Sequence, residues 1–348
     1  MKALVYQGEG RTSWDTVPDA TVQDSTDIVV QVDTTTICGT DLHILKGDVP
    51  AVKPGTILGH EAVGTIVDVG SSVTSLKVGD RVLVPAITSC GSCVYCRRQM
   101  PSHCQAVGGI GWIFGHLIDG TQAEYVRVPY GETSVHKLAE DIPDEQAIFL
   151  ADIFPTGFEM GVRYGKVKPG DVVAVVGVGP VGLAAVATAG LYGAAKIIAV
   201  GRSQPRIDQA LTMGATHGIT TNDPDWKAQV MALTDGLGVD VVIEAVGVPQ
   251  TLGDAFSIVR PGGHVANAGV HGTSFTLPIE DLWIQNITFS TGLVDGVTVP
   301  ILLDLIRAGR IHPEVMGTHS FVLDEIEKAY EVFSDSPKHG CLKTVIRR

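Results

Sequence analysis

Between Val172 and Ala195 the chain carries no Asp, Glu, Lys or Arg, and the run is broken near its start by Gly177-Val178-Gly179-Pro180-Val181-Gly182. A stretch of about 20 apolar residues is long enough to cross a bilayer. The glycines and proline argue against that, because a buried parallel strand feeding a buried helix has the same composition. The spacing predicts a strand over Val172–Val176, a tight turn, and a helix opening at Pro180. Such a turn aims backbone amides and the positive end of a helix at one point, the arrangement that receives a dinucleotide pyrophosphate. Alone, a G-x-G-x-x-G pattern is weak. Here a strand precedes it, an Ala- and Gly-rich helix follows, and a second strand ends at Val200, so Gly177, Gly179, Pro180, Val181 and Gly182 are candidate cofactor residues.

The alternation continues with a strand over Lys196–Val200, a helix near Pro205, and strands over Val241–Glu244 and His264–Ala268, with the Gly262-Gly263 pair read as a turn before the last of these. A doubly wound parallel sheet is the expected product. Folds selective for NAD place an acid roughly 20 residues past the glycine turn, on the ribose hydroxyls. In this chain the second strand runs instead into Gly201-Arg202-Ser203. Arg202, with Ser203 and Arg206, can grip a 2′-phosphate, so the strand end favours NADP, with NAD as the alternative. The bland reading of Arg202 is a solvated arginine at a strand end.

Before residue 150 the texture differs. Short β-branched runs over Asp27–Val32, Ala62–Val69, Arg81–Val84 and Glu124–Val128 are punctuated by Gly, Pro and Asp, which reads as a mostly antiparallel β domain. Ile301–Ala308 and Leu323–Phe333 read as amphipathic helices, Leu342–Ile346 as a closing strand, and a strand near Ile287–Leu293 as the edge of the nucleotide sheet, able to pair across a two-fold axis. A homodimer or homotetramer is expected. With a net charge of −13, the surface as a whole repels nucleic acid and anionic membrane.

Four of the six cysteines follow the pattern Cys90-x2-Cys93-x2-Cys96-x7-Cys104. That spacing lets four thiolates converge on one structural zinc ion. Two disulfides are the alternative, but there is no secretion signal, and a cytoplasmic setting favours metal. Cys38 and His60 offer a thiolate and an imidazole, donors suited to a second zinc, although 22 residues apart they form no local motif. Singly, a buried Cys or His is more often packing than ligation.

Cys38-Gly39-Thr40-Asp41-Leu42-His43, Gly59-His60-Glu61-Ala62-Val63-Gly64, Val78-Gly79-Asp80-Arg81-Val82, the four-cysteine lobe and the glycine turn occur in this order. Together they resemble the medium-chain zinc-dependent alcohol dehydrogenases over essentially the whole chain. The resemblance implies a GroES-like β domain over residues 1–154 and 296–348, with a structural zinc lobe at 90–104, and a Rossmann domain over 155–295. It also implies that Cys38 and His60 bind a catalytic zinc, that Asp152 completes the ligand set, and that Glu61 is an outer acid or transient ligand. Trp112 becomes a wall of the substrate pocket. An aspartate at the third ligand position resembles the microbial secondary-alcohol branch, whereas the retained four-cysteine lobe departs from it.

The chemistry implied is reversible hydride transfer between an alcohol, with a secondary alcohol favoured, or its ketone or aldehyde, and the nicotinamide cofactor. Such a zinc keeps one position open, where an alcohol loses its proton near neutral pH. The Thr40 hydroxyl can accept that proton and His43 can relay it to solvent, although both could simply bond the local turn. NAD-dependent oxidation of primary alcohols or polyols is the nearest alternative. More distant ones are zinc-free reduction of a quinone or conjugated carbonyl, and a nucleotide sensor without catalysis. Cys341, His103, His116, His264 and His271 carry no defensible metal spacing.

Overall fold

The first part of the chain forms seven strands, four of them the β-branched runs: β1 (Lys2–Tyr6), β2 (Thr12–Thr16), β3 (Ile28–Thr35), β4 (Ala62–Val69), β5 (Arg81–Val84), β6 (Tyr125–Val128) and β7 (His136–Lys137). Strand β3 is the hub. It pairs antiparallel with β4 and β6, while β4 continues to β5 and β5 to β7. Ile28, Val30 and Val32, spaced two apart on one face, meet Ala62, Ile66, Val82, Val84, Val126 and Val128 in one buried cluster. At about 25 cal/mol per Å2 of apolar surface removed from water, each such Val or Ile contributes roughly 1.5–3 kcal/mol. Helix α1 (Gly39–Leu45) follows β3 through Cys38, whose extended backbone and N–H bond to the Asp41 side chain form a cap.

The computed structural model describes all 348 residues and divides them into two compact units, Met1–Asp152 with Asp295–Arg348, and Ile153–Val294. The second unit holds β8 (Val172–Val176), α2 (Pro180–Ala189), β9 (Lys196–Gly201), α3 (Gln204–Thr212), β10 (His217–Thr220), α4 (Trp226–Ala232), β11 (Val239–Glu244), α5 (Pro249–Ile258), β12 (Val259–Asn267) and β13 (Thr288–Thr291). Its sheet has the order β10-β9-β8-β11-β12-β13 and every pair is parallel, as in a Rossmann fold. The central strands are apolar on both faces because helices cover both. Helical packing is close: Gly157, at the start of the helical segment Gly157–Arg163, lies so near α2 that a β-carbon there would be 2.6 Å from the Val181 carbonyl oxygen.

Several details depart from the sequence reading. Strand β12 begins at Val259, and the Gly262-Gly263 pair lies within it; the register jumps from Val239 opposite Val259 to Val241 opposite His264, so the glycines occupy an irregularity inside the strand. Strands β1, β2, β7 and β10, and a further strand over Gly317–Val322, went unread because none carries a sustained β-branched run. The chain then returns to the first unit as α6 (Val299–Arg307), β14 (Gly317–Val322), α7 (Ile326–Ser334) and β15 (Lys343–Arg347). Strand β15 pairs with β3 and β14. Ile326, Ala329, Tyr330 and Phe333 line one face of α7 at helical spacing and bury against Leu4, Ile37 and Leu58. No helix is long and apolar enough to cross a membrane.

Candidate active site

Three separate turns of the first unit deliver the cluster of Cys38, His60, Glu61 and Asp152. Cys38 sits between β3 and α1. His60 precedes β4 and follows Gly59, whose φ of +92° and contact with Gln122, where a β-carbon would lie 2.5 Å from Cγ, require glycine. The Thr35 and Thr121 hydroxyls both donate to the Glu61 carbonyl oxygen, at 2.8 and 3.0 Å. The neighbouring Ala151 carbonyl accepts the Ala86 N–H, which anchors the turn carrying Asp152.

One ligand atom from each of the four residues lies within 4.8 Å of the others. Asp152 Oδ2 is 3.4 Å from Cys38 Sγ and 3.5 Å from His60 Nε2. A tetrahedral zinc with bonds of about 2.0–2.3 Å holds its donors roughly 3.3–3.8 Å apart. The spacing and the sulfur, imidazole and carboxylate set therefore fit that ion.

The electrostatics point the same way. Burial pushes the Cys38 thiol and the Asp41 carboxyl up from their ordinary values. Burial opposes protonation of His60, yet hydrogen bonding to Asp152 and Cys38 and the field of Asp41 hold it well above its ordinary value. Burial also raises the Glu61 carboxyl, whose Oε1 lies 2.9 Å from Lys343 Nζ; Lys343, opposed by its own burial, is kept charged by that carboxylate. Three carboxyls and a thiol thus face one lysine, an anionic pocket that a dication would neutralise. His60 Nδ1 and Asp41 Oδ1 face each other at 3.7 Å, too far for a hydrogen bond, and neither atom has a hydrogen-bond partner.

On α1 the Thr40 hydroxyl lies 3.6 Å from Cys38 Sγ, and His43, one turn on, places Nδ1 2.8 Å from Asp48 Oδ2. Thr40 and His43 share a helix face and make no hydrogen bond to each other, so a proton passing between them needs a bridging hydroxyl or water. The Trp112 ring meets His60 edge-on at 6.2 Å and stacks on His116 at 4.3 Å. Sequence reasoning missed several neighbours of the cluster. Asp48 and His116 carried no motif signal, and Lys343, Gln122 and Tyr330 lie far along the chain from the residues they touch.

In the lobe, Cys90, Cys93, Cys96 and Cys104 bring their sulfurs within 4.8 Å of one another and all are free thiols. Cys93 Sγ lies 3.5 Å from Cys96 Sγ, and Cys104 Sγ accepts the Cys90 N–H at 3.3 Å. Backbone N–H groups of Cys96 and Gln105 lower the Cys93 thiol to about 6, toward the thiolate a metal requires. The set fits a structural zinc.

In the second unit the three glycines divide the labour of a dinucleotide turn. Gly177 has φ +98°; Gly182 packs so closely that a β-carbon would lie 1.8 Å from the Gly177 carbonyl oxygen; Gly179, at the N-terminus of α2, has no atom within 4 Å of that position. The first makes the turn, the last seats the helix, and the middle one leaves room for a phosphate. Pro180 opens α2, and the turn is tied to β9 by the Gly177 N–H on the Val200 carbonyl. Gly201 ends β9, Arg202 is exposed and Ser203 precedes α3, on which Arg206 lies.

Comparison with known proteins agrees with this geometry. Residues 24–140 match the alcohol dehydrogenase GroES-like domain family and residues 180–307 the zinc-binding dehydrogenase family. An alcohol dehydrogenase of Cupriavidus necator is 36% identical, covering 100% of this chain and 98% of its own. An NADP-dependent isopropanol dehydrogenase of Thermoanaerobacter brockii is 38% identical over 86% of this chain and 87% of its own. The apo structure of zinc-dependent alcohol dehydrogenase 2 from Streptococcus pneumonia superposes with a TM-score of 0.95 at 45% identity, covering 100% of this chain and 98% of that one. With a GroES-like unit that gathers Cys38, His60 and Asp152 and a parallel-sheet unit built around a dinucleotide turn, this chain belongs to the medium-chain zinc-dependent alcohol dehydrogenases, the NAD(P)-dependent oxidoreductases of that name.

Proposed function

We propose that the protein oxidises small secondary alcohols and reduces the corresponding ketones, with NADP as its cofactor and two zinc ions per chain. The observation that carries the reading is the convergence of Cys38, His60 and Asp152 at donor spacings suited to one tetrahedral ion. These three would hold a catalytic zinc, and Cys90, Cys93, Cys96 and Cys104 a structural one. When bound, the catalytic ion supplies a Lewis acid that makes a substrate hydroxyl acidic near neutral pH.

The chain's own residues do the rest. Thr40 accepts the substrate proton on its hydroxyl and passes it, through one bridging group, to His43. Asp48 fixes the His43 ring through Nδ1, leaving Nε2 to take the proton. Trp112 walls the pocket, and Glu61, held by Lys343, supports the ligand set from behind. Arg202, Ser203 and Arg206 grip the 2′-phosphate, supported by the lack of any carboxylate in Gly201-Arg202-Ser203 and by the likeness to an NADP-dependent isopropanol dehydrogenase. Glycine-turn residues Gly177 to Gly182, Val181 among them, receive the pyrophosphate.

We take residues 1–154 and 296–348 as the catalytic domain, and 155–295 as the cofactor domain. Assembly as a homodimer or homotetramer is supported by the open edge of β13 and by exposed Ile279, Trp283 and Ile284 beside it. Six free thiols are compatible with a cytoplasmic setting. The test is kcat/KM for 2-propanol, 2-butanol, ethanol, benzyl alcohol and sorbitol with each cofactor, for the native protein and Arg202→Ala. Preference for the secondary alcohols with NADP, reduced toward parity by the substitution, is expected. A strong native preference for NAD, or for ethanol or sorbitol, would overturn the finer assignment.

A further inference from the structure

A buried hydrogen-bond chain runs from α7 to Asp41, whose free carboxylate oxygen faces His60. It starts at the Tyr330 hydroxyl, which donates to Gln122 Oε1 at 2.8 Å. The Gln122 amide donates to Asp41 Oδ2 at 3.3 Å and to the Thr36 carbonyl at 3.2 Å. The same Asp41 oxygen accepts the Cys38 N–H at 2.9 Å, and Oδ1 faces His60 Nδ1 at 3.7 Å. Every member is buried, with 6% exposure at Tyr330, 0% at Gln122, 1% at Asp41 and 3% at His60.

The chemistry of the amide gives this chain a direction. A glutamine has an accepting end and a donating end, and reversing it here would set its oxygen against the Asp41 carboxylate and the Thr36 carbonyl. Burial and the nearby Asp41 charge hold the Tyr330 phenol well above its ordinary value, so it stays a donor and selects the carbonyl end. Asp41 is thereby gripped through Oδ2 by two donors, with Oδ1 left for His60. The negative field of a carboxylate 3.7 Å from Nδ1 favours the tautomer protonated there and leaves the Nε2 lone pair on the side of Asp152 and Cys38. For packing alone a leucine or methionine would serve at position 122, whereas a fully buried amide is tolerated only when its bonds are made.

We propose that Tyr330 and Gln122 are positioning residues for the metal centre, orienting Asp41 so that His60 is held with Nε2 ready to bind zinc; this rests on the reading above that His60 is a zinc ligand. Neither residue touches substrate or cofactor. The ring of Tyr330 packs in the core with Leu4, Ile37 and Leu58, so Tyr330→Phe keeps the packing and removes only the hydroxyl.

The test follows zinc release from the loaded, full-length protein into a chromogenic chelator, for the native chain, Tyr330→Phe, Gln122→Met and the double variant. The release phase missing from Cys38→Ser identifies the catalytic ion. That phase is expected to be about tenfold faster in each single variant, and no faster in the double variant, because both break one chain. Release from the four-cysteine lobe should be unchanged, and the ligand-field spectrum of Co(II) at the catalytic position should shift in both variants. Native release rates in both single variants, or effects that multiply in the double variant, would overturn the proposal. A native protein lacking any Cys38-dependent zinc would instead overturn the functional reading, and this one with it.

Discussion

Replacing Lys343 by methionine isolates the buried support of the metal cluster. Lys343 Nζ lies 2.9 Å from Glu61 Oε1 and 2.7 Å from the Ile37 carbonyl oxygen, and both charged side chains are 1% exposed. Removing one partner of a buried pair leaves the other charge uncompensated and costs about 3–5 kcal/mol. The orphaned Ile37 carbonyl adds roughly 1–3 kcal/mol, only partly additive because the two acceptors share one ammonium. We expect Lys343→Met to lose about 4 kcal/mol near pH 8 in urea denaturation of the zinc-loaded protein. Lys343→Met with Glu61→Gln should recover at least half of that, since no charge is then stranded. The sign with pH follows from Glu61. Without its partner the folded carboxyl titrates above its unfolded value, so the neutral acid fits the site and the deficit is small near pH 4. The deficit then grows as pH rises through the folded value. A loss below about 1 kcal/mol, or a double variant no better than the single, would refute the reasoning.

His136 on β7 is pushed down to about 4 by burial. Its folded value lies below the ordinary 6.5, so the stability it confers is present above pH 6.5 and is lost as pH falls toward about 4, by at most roughly 3 kcal/mol. His136→Phe should flatten that part of the stability profile, and superimposable profiles would refute the assignment. Two glycine substitutions should behave oppositely. Gly59→Ala, at φ +92° against Gln122, should cost at least about 2 kcal/mol and reduce zinc content. Gly179→Ala, with φ −78° and open space around it, should keep the melting temperature while weakening binding of the reduced nicotinamide cofactor about tenfold in a fluorescence titration. Cys104→Ser, at a fully buried sulfur, should lower bound zinc by one ion in metal analysis and leave any Cys38-dependent ion in place.

Local patterns were readable wherever a motif and its partners lie within one turn or one element. The glycine turn could be read because strand, turn and helix are consecutive, and the cysteine lobe because four ligands fall within fifteen residues. Strands β4 and β5 were read to the residue because each is a short Val- and Ile-rich run bounded by Gly, Pro or Asp. Cys38, His60 and Asp152 were reached only through resemblance, since no spacing rule links positions so far apart. The β11–β12 irregularity escaped because glycine pairs usually mark turns, and only pairing with a neighbouring strand reveals them inside one.

By itself, then, the order of residues determined the two-part architecture, the nucleotide turn and the four-cysteine lobe, because those depend on periodicity and on neighbours along the backbone. Tertiary structure decided what surrounds the reactive cluster: Lys343 on Glu61, and Gln122 and Tyr330 behind Asp41. Those contacts join segments up to 282 residues apart. They exist only once β15 pairs with β3 and α7 buries its apolar face, excluding water so that each polar group must find its partner within the protein.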